Sequence, residues 1–275
     1  MAEVREVKAV KEKEVIEKEM SFLDHLEELR WHIIRSLLSI VVFGTIVFLF
    51  KDFVFNTIIL GPKNPDFPTY RIICGISETL CFSPPDFKLL PRELGEQFIT
   101  HLKVSAWLGI IISFPYIFWE LWRFVKPGLY KNEQKAARGI VFICSSLFLI
   151  GVLFGYYIIS PFAVSFLAGY NISDEIISSP TLASYVNNVT MFTVPTGIIF
   201  ELPIVVYFLS RIGLVTPELM KNYRRHAIII ILLFAAVITP PDVVTQFLIG
   251  LPVFFLYEMS IHISRRAYKK YQSDD

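Results

Sequence analysis

Residues 139–168 read GIVFICSSLFLIGVLFGYYIISPFAVSFLA, thirty positions without one Asp, Glu, Lys, Arg or His. At the helical rise per residue this run exceeds the roughly 30 Å of a bilayer's hydrocarbon core. Comparable stretches lie at 33–53, 103–123 and 187–211. A spanning segment in lipid must satisfy its own backbone hydrogen bonds, so these four read as membrane helices. Another apolar region, between Arg225 and Arg265, is broken by Thr239-Pro240-Pro241-Asp242. Adjacent prolines cannot continue a helix and favour a tight turn, so this region reads as a helical hairpin. Its first arm, 226–238, reaches only about 20 Å. The fold class predicted is all-α, a polytopic membrane protein of six spans with the last two short. Pro115, Pro161, Pro195, Pro203 and Pro252 fall at membrane depth and predict kinked helices and a curved shape.

Composition agrees with that reading. The 275 residues are 54% hydrophobic and 19% charged, with 25 Phe and 12 Tyr. A formal net charge of +1 carries no global basic excess of the kind that would indicate nucleic acid. Basic residues are clustered instead: six in 1–30, five in 123–138, four in 211–225 and four in 263–275, against none in 168–186 or 239–243 and four in the long segment 54–102. The positive-inside rule then places both termini in the cytoplasm. Three organisational units follow: a charged tail 1–20, a membrane domain 21–268 with the outer loop 54–102, and a tail 269–275. The loop, rich in proline, reads as an ordered or partly ordered cap. Stretch 1–20 alternates Glu and Lys and has no apolar core, so it does not read as a cleavable signal.

Three cysteines exclude a disulfide scaffold, and no Cys/His spacing suits a metal, so no cofactor is expected. Cys74 and Cys81 share the outer loop, where their spacing allows a small ring and equally allows two free thiols. Cys144, within a span, reads as an inert packing residue. There is no H-E-x-x-H and no G-x-S-x-G, which argues against an enzyme.

Four motifs carry the functional reading. Ser21-Phe-Leu-Asp24 fits a capping box, and Phe22, Leu26, Leu29 and Ile33 make an apolar stripe, predicting an interfacial helix that runs into the membrane. Its other face offers Asp24 and Glu28 one turn apart, with Arg30 nearby; a solvated polar face is the bland alternative. Second, Trp122-Arg-Phe124-Val-Lys-Pro127-Gly128-Leu-Tyr130-Lys-Asn-Glu133 places one acid in the segment 123–138, which carries five basic residues. It could be no more than an exposed ion pair of about 1 kcal/mol. Third, Phe200-Glu201-Leu-Pro203 puts a carboxyl inside a span, at a cost of roughly 2.5–3.5 kcal/mol unless it finds a partner. Arg211 is a candidate, and a water-accessible or partner-lined concavity is the other. Glu120 and Glu258, near span ends, read as snorkelling, structural acids. The fourth is Thr239-Pro-Pro-Asp242-Val-Val-Thr-Gln246, in which Thr239 and Gln246 flank the turn and Asp242 caps the following helix.

These motifs, in this order and across residues 20–268, resemble the TatC family, the signal-peptide receptor subunit of the twin-arginine protein translocase. The tail 1–19 and the length of loop 54–102 depart from the family form. The resemblance implies a receptor in the bacterial inner membrane that binds Arg-Arg signal peptides of folded precursors. By position it assigns Glu28, Arg30, Phe124, Pro127 and Glu133 to that site. A guanidinium offers a carboxylate a planar fork that lysine cannot, which suits recognition of paired arginines. Glu201, Thr239 and Gln246 match the family's intramembrane contacts with single-span TatA-like and TatB-like subunits. A homo-oligomer within the complex and contact with membrane lipid are expected, and nucleic acid is not. An ion-coupled secondary transporter using Glu201 is the competing class, opposed by the lack of an internal repeat.

Overall fold

The computed structural model describes residues 22–76, 81–126, 139–173, 179–238 and 243–274. The elements are helical throughout these residues, apart from one isolated parallel bridge between Leu90 and Thr181. In chain order they are α1 (Phe22–Leu49), α2 (Pro68–Ile76), α3 (Glu96–Val125), α4 (Ile140–Phe154), α5 (Ser160–Gly169), α6 (Leu182–Phe200), α7 (Leu202–Arg211), α8 (Pro217–Asn222), α9 (Arg224–Ile238) and α10 (Val243–Asp274). Among the described residues five runs are long and apolar enough to cross a membrane: His25–Leu49, Glu96–Val125, Ile140–Gly169, Leu182–Arg211 and Thr245–Lys269. Ile33, Leu37, Leu38 and Val41 on α1 are exposed, as are Ile229, Leu233 and Val237 on α9. In a protein with such spans these faces are solvated by lipid tails rather than by water.

One expectation needs correcting. The last arm of the hairpin is not short: α10 runs 32 residues and carries Pro252 inside it, so only α9, at 15 residues, falls below spanning length. The helix α10 continues beyond residue 269 to Asp274. Pro252 is tolerated because neighbouring helices and local adjustments can satisfy the carbonyl it frees. Pro115 and Pro195 also sit inside continuous helices. A π-type turn Gly155–Ile159 precedes Pro161, and α6 ends at Phe200, with Glu201 as its C-cap, before Pro203 in the first turn of α7.

Small residues set the closest approaches, as packing between helices in lipid requires. A Cβ on Gly109 of α3 would stand 2.9 Å from Gly44 Cα and 3.0 Å from the Ile40 carbonyl, so α1 and α3 cross backbone to backbone there. Between α4 and α6, a Cβ on Gly151 would meet Phe200 Cβ at 2.8 Å and Gly197 Cα at 2.9 Å. Phe148 fills the adjoining space, stacked on Phe114 at 3.6 Å and buried with Ile111, Val152 and Val194.

The described parts of segment 54–102 pack against neighbouring segments through tyrosine hydroxyls. The Tyr70 hydroxyl donates to the Pro62 carbonyl (2.8 Å) and the Pro161 carbonyl (3.1 Å), Tyr156 to Ile58 (2.6 Å), and Tyr185 to Ile59 (2.9 Å). Each hydroxyl satisfies a carbonyl left over where helical pairing stops. Burial pushes the Tyr70 phenol well above its ordinary range, so it remains a neutral donor. Cys74 and Cys81 are joined by a disulfide, with Cα atoms 4.2 Å apart, which resolves the choice between ring and free thiols. Glu96 Oε1 accepts from the Ala183 amide at 2.8 Å and ties the start of α3 to the start of α6.

Candidate functional site

His25, Glu28, His32 and Arg35 recur at three- and four-residue intervals and share one face of α1. Tyr116, Glu120, Arg123 and Phe124 do the same near the end of α3. The two faces meet. His32 Nδ1 lies 2.5 Å from Glu120 Oε2, and its Nε2 lies 4.0 Å from Glu28 Oε1. Arg35 Nη1 stands 3.9 Å from Glu120 Oε2 and Arg123 Nη1 stands 3.7 Å from Oε1. One turn outward, the His25 ring stacks on Phe124 at 4.4 Å, while His32 meets the edge of the same ring at 6.1 Å.

Glu120 is only 1% exposed, so it does not snorkel to the surface, and its ion pairs inside the bundle fit the structural half of the reading. Three cationic or protonatable groups converge on the carboxylate, so removing any of them would leave a buried charge less compensated. Glu258 is closer to expectation: it is partly exposed and bonded to Arg224 at 2.7 Å, which joins α9 to α10.

Of the residues singled out from the sequence, Glu28 and Phe124 are brought into one cluster. Glu28 Oε2 is buried and has no hydrogen-bond partner among the described residues, while the side chain as a whole keeps 34% of its exposure. Arg30, two positions on and therefore on another side of α1, is exposed with its guanidinium over the Trp31 ring at 5.7 Å. Pro127 and Glu133 lie outside the described residues, as do Thr239 and Asp242. The groups that join the two helices, His25, His32, Arg35 and Glu120, were not singled out as site residues. Their signal was an acid and a histidine of complementary charge, one turn from Phe124 and Glu28 respectively, inside segments apolar enough to demand pairing.

Beside this cluster a cleft of about 630 Å³ opens between α3 and α4. Trp119, Trp122 and Phe142 line it with Ser145, and Arg123 and Lys126 stand at its rim.

Glu201 occupies the break between α6 and α7, capping one and preceding Pro203 of the other. Both carboxyl oxygens are buried and neither has a hydrogen-bond partner among the described residues. The buried Cys144 thiol and the Phe148 backbone face the carboxyl without forming a hydrogen bond of good geometry. Arg211 sits at the far end of α7, about 15 Å along the helix. At the hairpin, Gln246 Nε2 donates to the Leu232 carbonyl at 3.1 Å and braces α10 against α9. Thr245, Ile249 and Val253 are buried, the last two against Ile231 and Ala235 of α9.

Comparison with known proteins adds an independent line. Residues 24–252 match the family model for the Sec-independent protein translocase protein TatC. The curated protein of that name from Blattabacterium sp. subsp. Periplaneta americana (strain BPLAN) is 36% identical over 259 residues, spanning 92% of this chain and 97% of its own length. The one from Aquifex aeolicus (strain VF5) is 33% identical over 253 residues, spanning 91% and 97%. A crystal structure described as the twin arginine translocase receptor TatC superposes with a TM-score of 0.69 at 32% identity, covering 88% of this chain and 99% of that one.

Proposed function

The chain belongs to the TatC family of Sec-independent protein translocase components, embedded in the membrane through its apolar helices, and on that premise we propose that it is the receptor core of a twin-arginine translocase. Arg-Arg signal peptides of folded precursors bind at the end of the bundle where α1 meets α3. Glu28 and Glu133 supply the carboxylates, and Arg30, Phe124 and Pro127 shape the surface around them. The observation that carries this reading is the convergence of Glu28 and Phe124 on the His32–Glu120 pair. It holds an acceptor oxygen of Glu28, unfilled among the described residues, at the edge of an aromatic surface.

The same reading sets the topology. Six spans cross a bacterial inner membrane with both termini in the cytoplasm, α9 being the short one, and the proline-bent helices form a curved wall. The charged tail 1–20 precedes the membrane domain 21–268. TatA-like and TatB-like single-span subunits assemble against the wall at Glu201, Thr239 and Gln246, in a complex that contains further copies of this chain. Membrane lipid covers the remaining apolar faces and lines the cleft between α3 and α4.

Site-specific crosslinking from residue 28 or 133 to a labelled signal peptide tests the recognition site. Replacing both acids with Gln abolishes binding of an Arg-Arg peptide while leaving assembly intact. Unchanged binding by the double variant would sink the assignment.

A further inference from the structure

Beside the α1–α3 junction, the cleft between α3 and α4 combines a cationic rim, an aromatic wall and a buried hydroxyl. Lys126 at the end of α3 and Arg123 one turn before it stand at the rim, Trp119 and Phe142 line the wall, and Pro115 and Leu149 lie further along the two helices. From Lys126 to Pro115 the lining follows α3 for about 16 Å, roughly half the thickness of a hydrocarbon core. The cleft's volume of about 630 Å³ is that of a ligand site. Ser145, which also lines it, is 9% exposed, and its hydroxyl has no hydrogen-bond partner among the described residues. We infer that this cleft is a specific binding site for an anionic phospholipid. The headgroup phosphate is held by Arg123 and Lys126, Ser145 donates to an ester carbonyl, and one acyl chain lies between Trp119 and Phe142. This rests on the reading that membrane lipid lines the cleft, and adds the class of lipid selected there.

Each part of the site answers to a part of such a lipid. Arg123 and Lys126 are exposed at the end of a membrane-spanning helix, the level at which headgroup phosphates lie. The Arg123 guanidinium stands 4.9 Å from the centre of the Trp119 ring, and its nearest oxygen on Glu120 is 3.7 Å away, beyond hydrogen-bond distance. That carboxylate is shared with His32 and Arg35, so Arg123 keeps N–H donors for a phosphate, which a guanidinium binds as a fork. Val141 and Phe142 line the cleft from the first turn of α4, so the positive end of that helix lies at the same site. Ser145 is about 8 Å further along α4 than Ile140, the depth of glycerol esters beneath a phosphate. An ester carbonyl only accepts, and it completes a buried hydroxyl that otherwise has nothing to donate to. The sign of the rim selects among occupants. An Arg-Arg signal peptide carries the same charge as Arg123 and Lys126 and is repelled, whereas a phosphodiester with net negative charge is attracted. A zwitterionic lipid brings the same phosphate with a cation beside it, and gains less.

The experiment uses the full chain in phosphatidylcholine nanodiscs, with Trp31 and Trp107 replaced by Phe so that Trp119 and Trp122 are the remaining tryptophans. Bromine on an acyl chain quenches tryptophan fluorescence at contact. Dibrominated phosphatidylglycerol should quench at about a tenfold lower mole fraction than dibrominated phosphatidylcholine. Lys126→Gln should cut that preference by about fivefold, and Arg123→Gln with Lys126→Gln should abolish it. Where the double variant does not fold because Glu120 has lost a counter-charge, Lys126→Gln alone gives the answer, since it leaves the Arg123–Glu120 contact in place. Ser145→Phe, which fills the cleft, should weaken quenching by both lipids. Equal quenching by the two lipids at every mole fraction, an undiminished preference in Lys126→Gln, or unchanged quenching in Ser145→Phe overturns the inference and leaves ordinary annular lipid. Quenching by neither lipid would remove lipid from the cleft altogether, which is the reading beneath the inference and a different signature from a lost preference. Relief of quenching by an Arg-Arg signal peptide, together with its crosslinking to residue 142, would assign the cleft to the peptide and likewise overturn the inference.

Discussion

Two carboxylates sit deep in the same helical assembly and are treated in opposite ways. Glu120 is surrounded: His32, Arg35 and Arg123 converge on it from two helices, and it is the fastening between α1 and α3. Glu201 has no hydrogen-bond partner among the described residues and lies at a break where α6 stops and α7 begins. A buried acid with counter-charges belongs to the architecture, because removing it strands the charges it served. An acid buried without a hydrogen-bond partner costs folding free energy. Under the proposed function, a partner helix supplies what this carboxyl lacks.

The contrast breaks first at Glu120. Glu120→Ala leaves a histidine and two arginines without their shared anion and should cost about 3–5 kcal/mol of stability, read as a large fall in the thermal midpoint of the detergent-solubilised protein. A change within error would mean that the cluster is solvated and not structural.

The segment between α1 and α3 offers a reference held by a covalent link. Its loop is closed by Cys74–Cys81 across a sequence separation of seven. Chain-entropy reasoning gives that ring about 2.5 kcal/mol. Cys74→Ser with Cys81→Ser should therefore lower stability by less than Glu120→Ala does, with no effect on binding at the α1–α3 end. Hydrogen exchange in α2 should rise while α1 stays protected.

Glu201→Leu sharpens the comparison from the other side. Removing buried oxygens that meet no hydrogen-bond partner should leave the isolated chain as stable or more stable by about 1–2 kcal/mol. The same change should weaken co-purification of single-span partners while sparing signal-peptide binding. Glu201→Gln should be milder, because an amide keeps an acceptor and gains donors. Loss of stability in the leucine variant would show that the carboxyl already has a structural role within this chain.

The smallest effect is expected at the hairpin. Gln246→Ala removes one hydrogen bond to the Leu232 carbonyl and should cost about 1 kcal/mol or less. Crosslinking between α9 and α10 would detect the loosened brace.

How far these features could be read in advance depended on the physics behind each. Glu28, Phe124 and Glu201 stood out because their residue types and flanking motifs are visible along the chain. Glu120 was noticed and misjudged as a snorkelling acid, since its distance from the span end says nothing about what a neighbouring helix brings to it. His32 carried no local signal beyond lying one turn from Glu28. α10 is longer than the sequence reading expected: it runs 32 residues with Pro252 inside it, and whether a helix survives a proline depends on neighbouring packing.

What the amino-acid sequence determined by itself was the medium and the element type. Runs of apolar residues longer than a bilayer is thick admit only helices in lipid. Tertiary structure decided which charges meet. Gly44 and Gly109 let α1 and α3 approach until His32 reaches Glu120, whereas α7 carries Arg211 away from Glu201. Hydropathy and periodicity describe one helix at a time, and the rotation and closeness of two packed helices, which settle whether a buried charge is paired, arise only when their surfaces interlock.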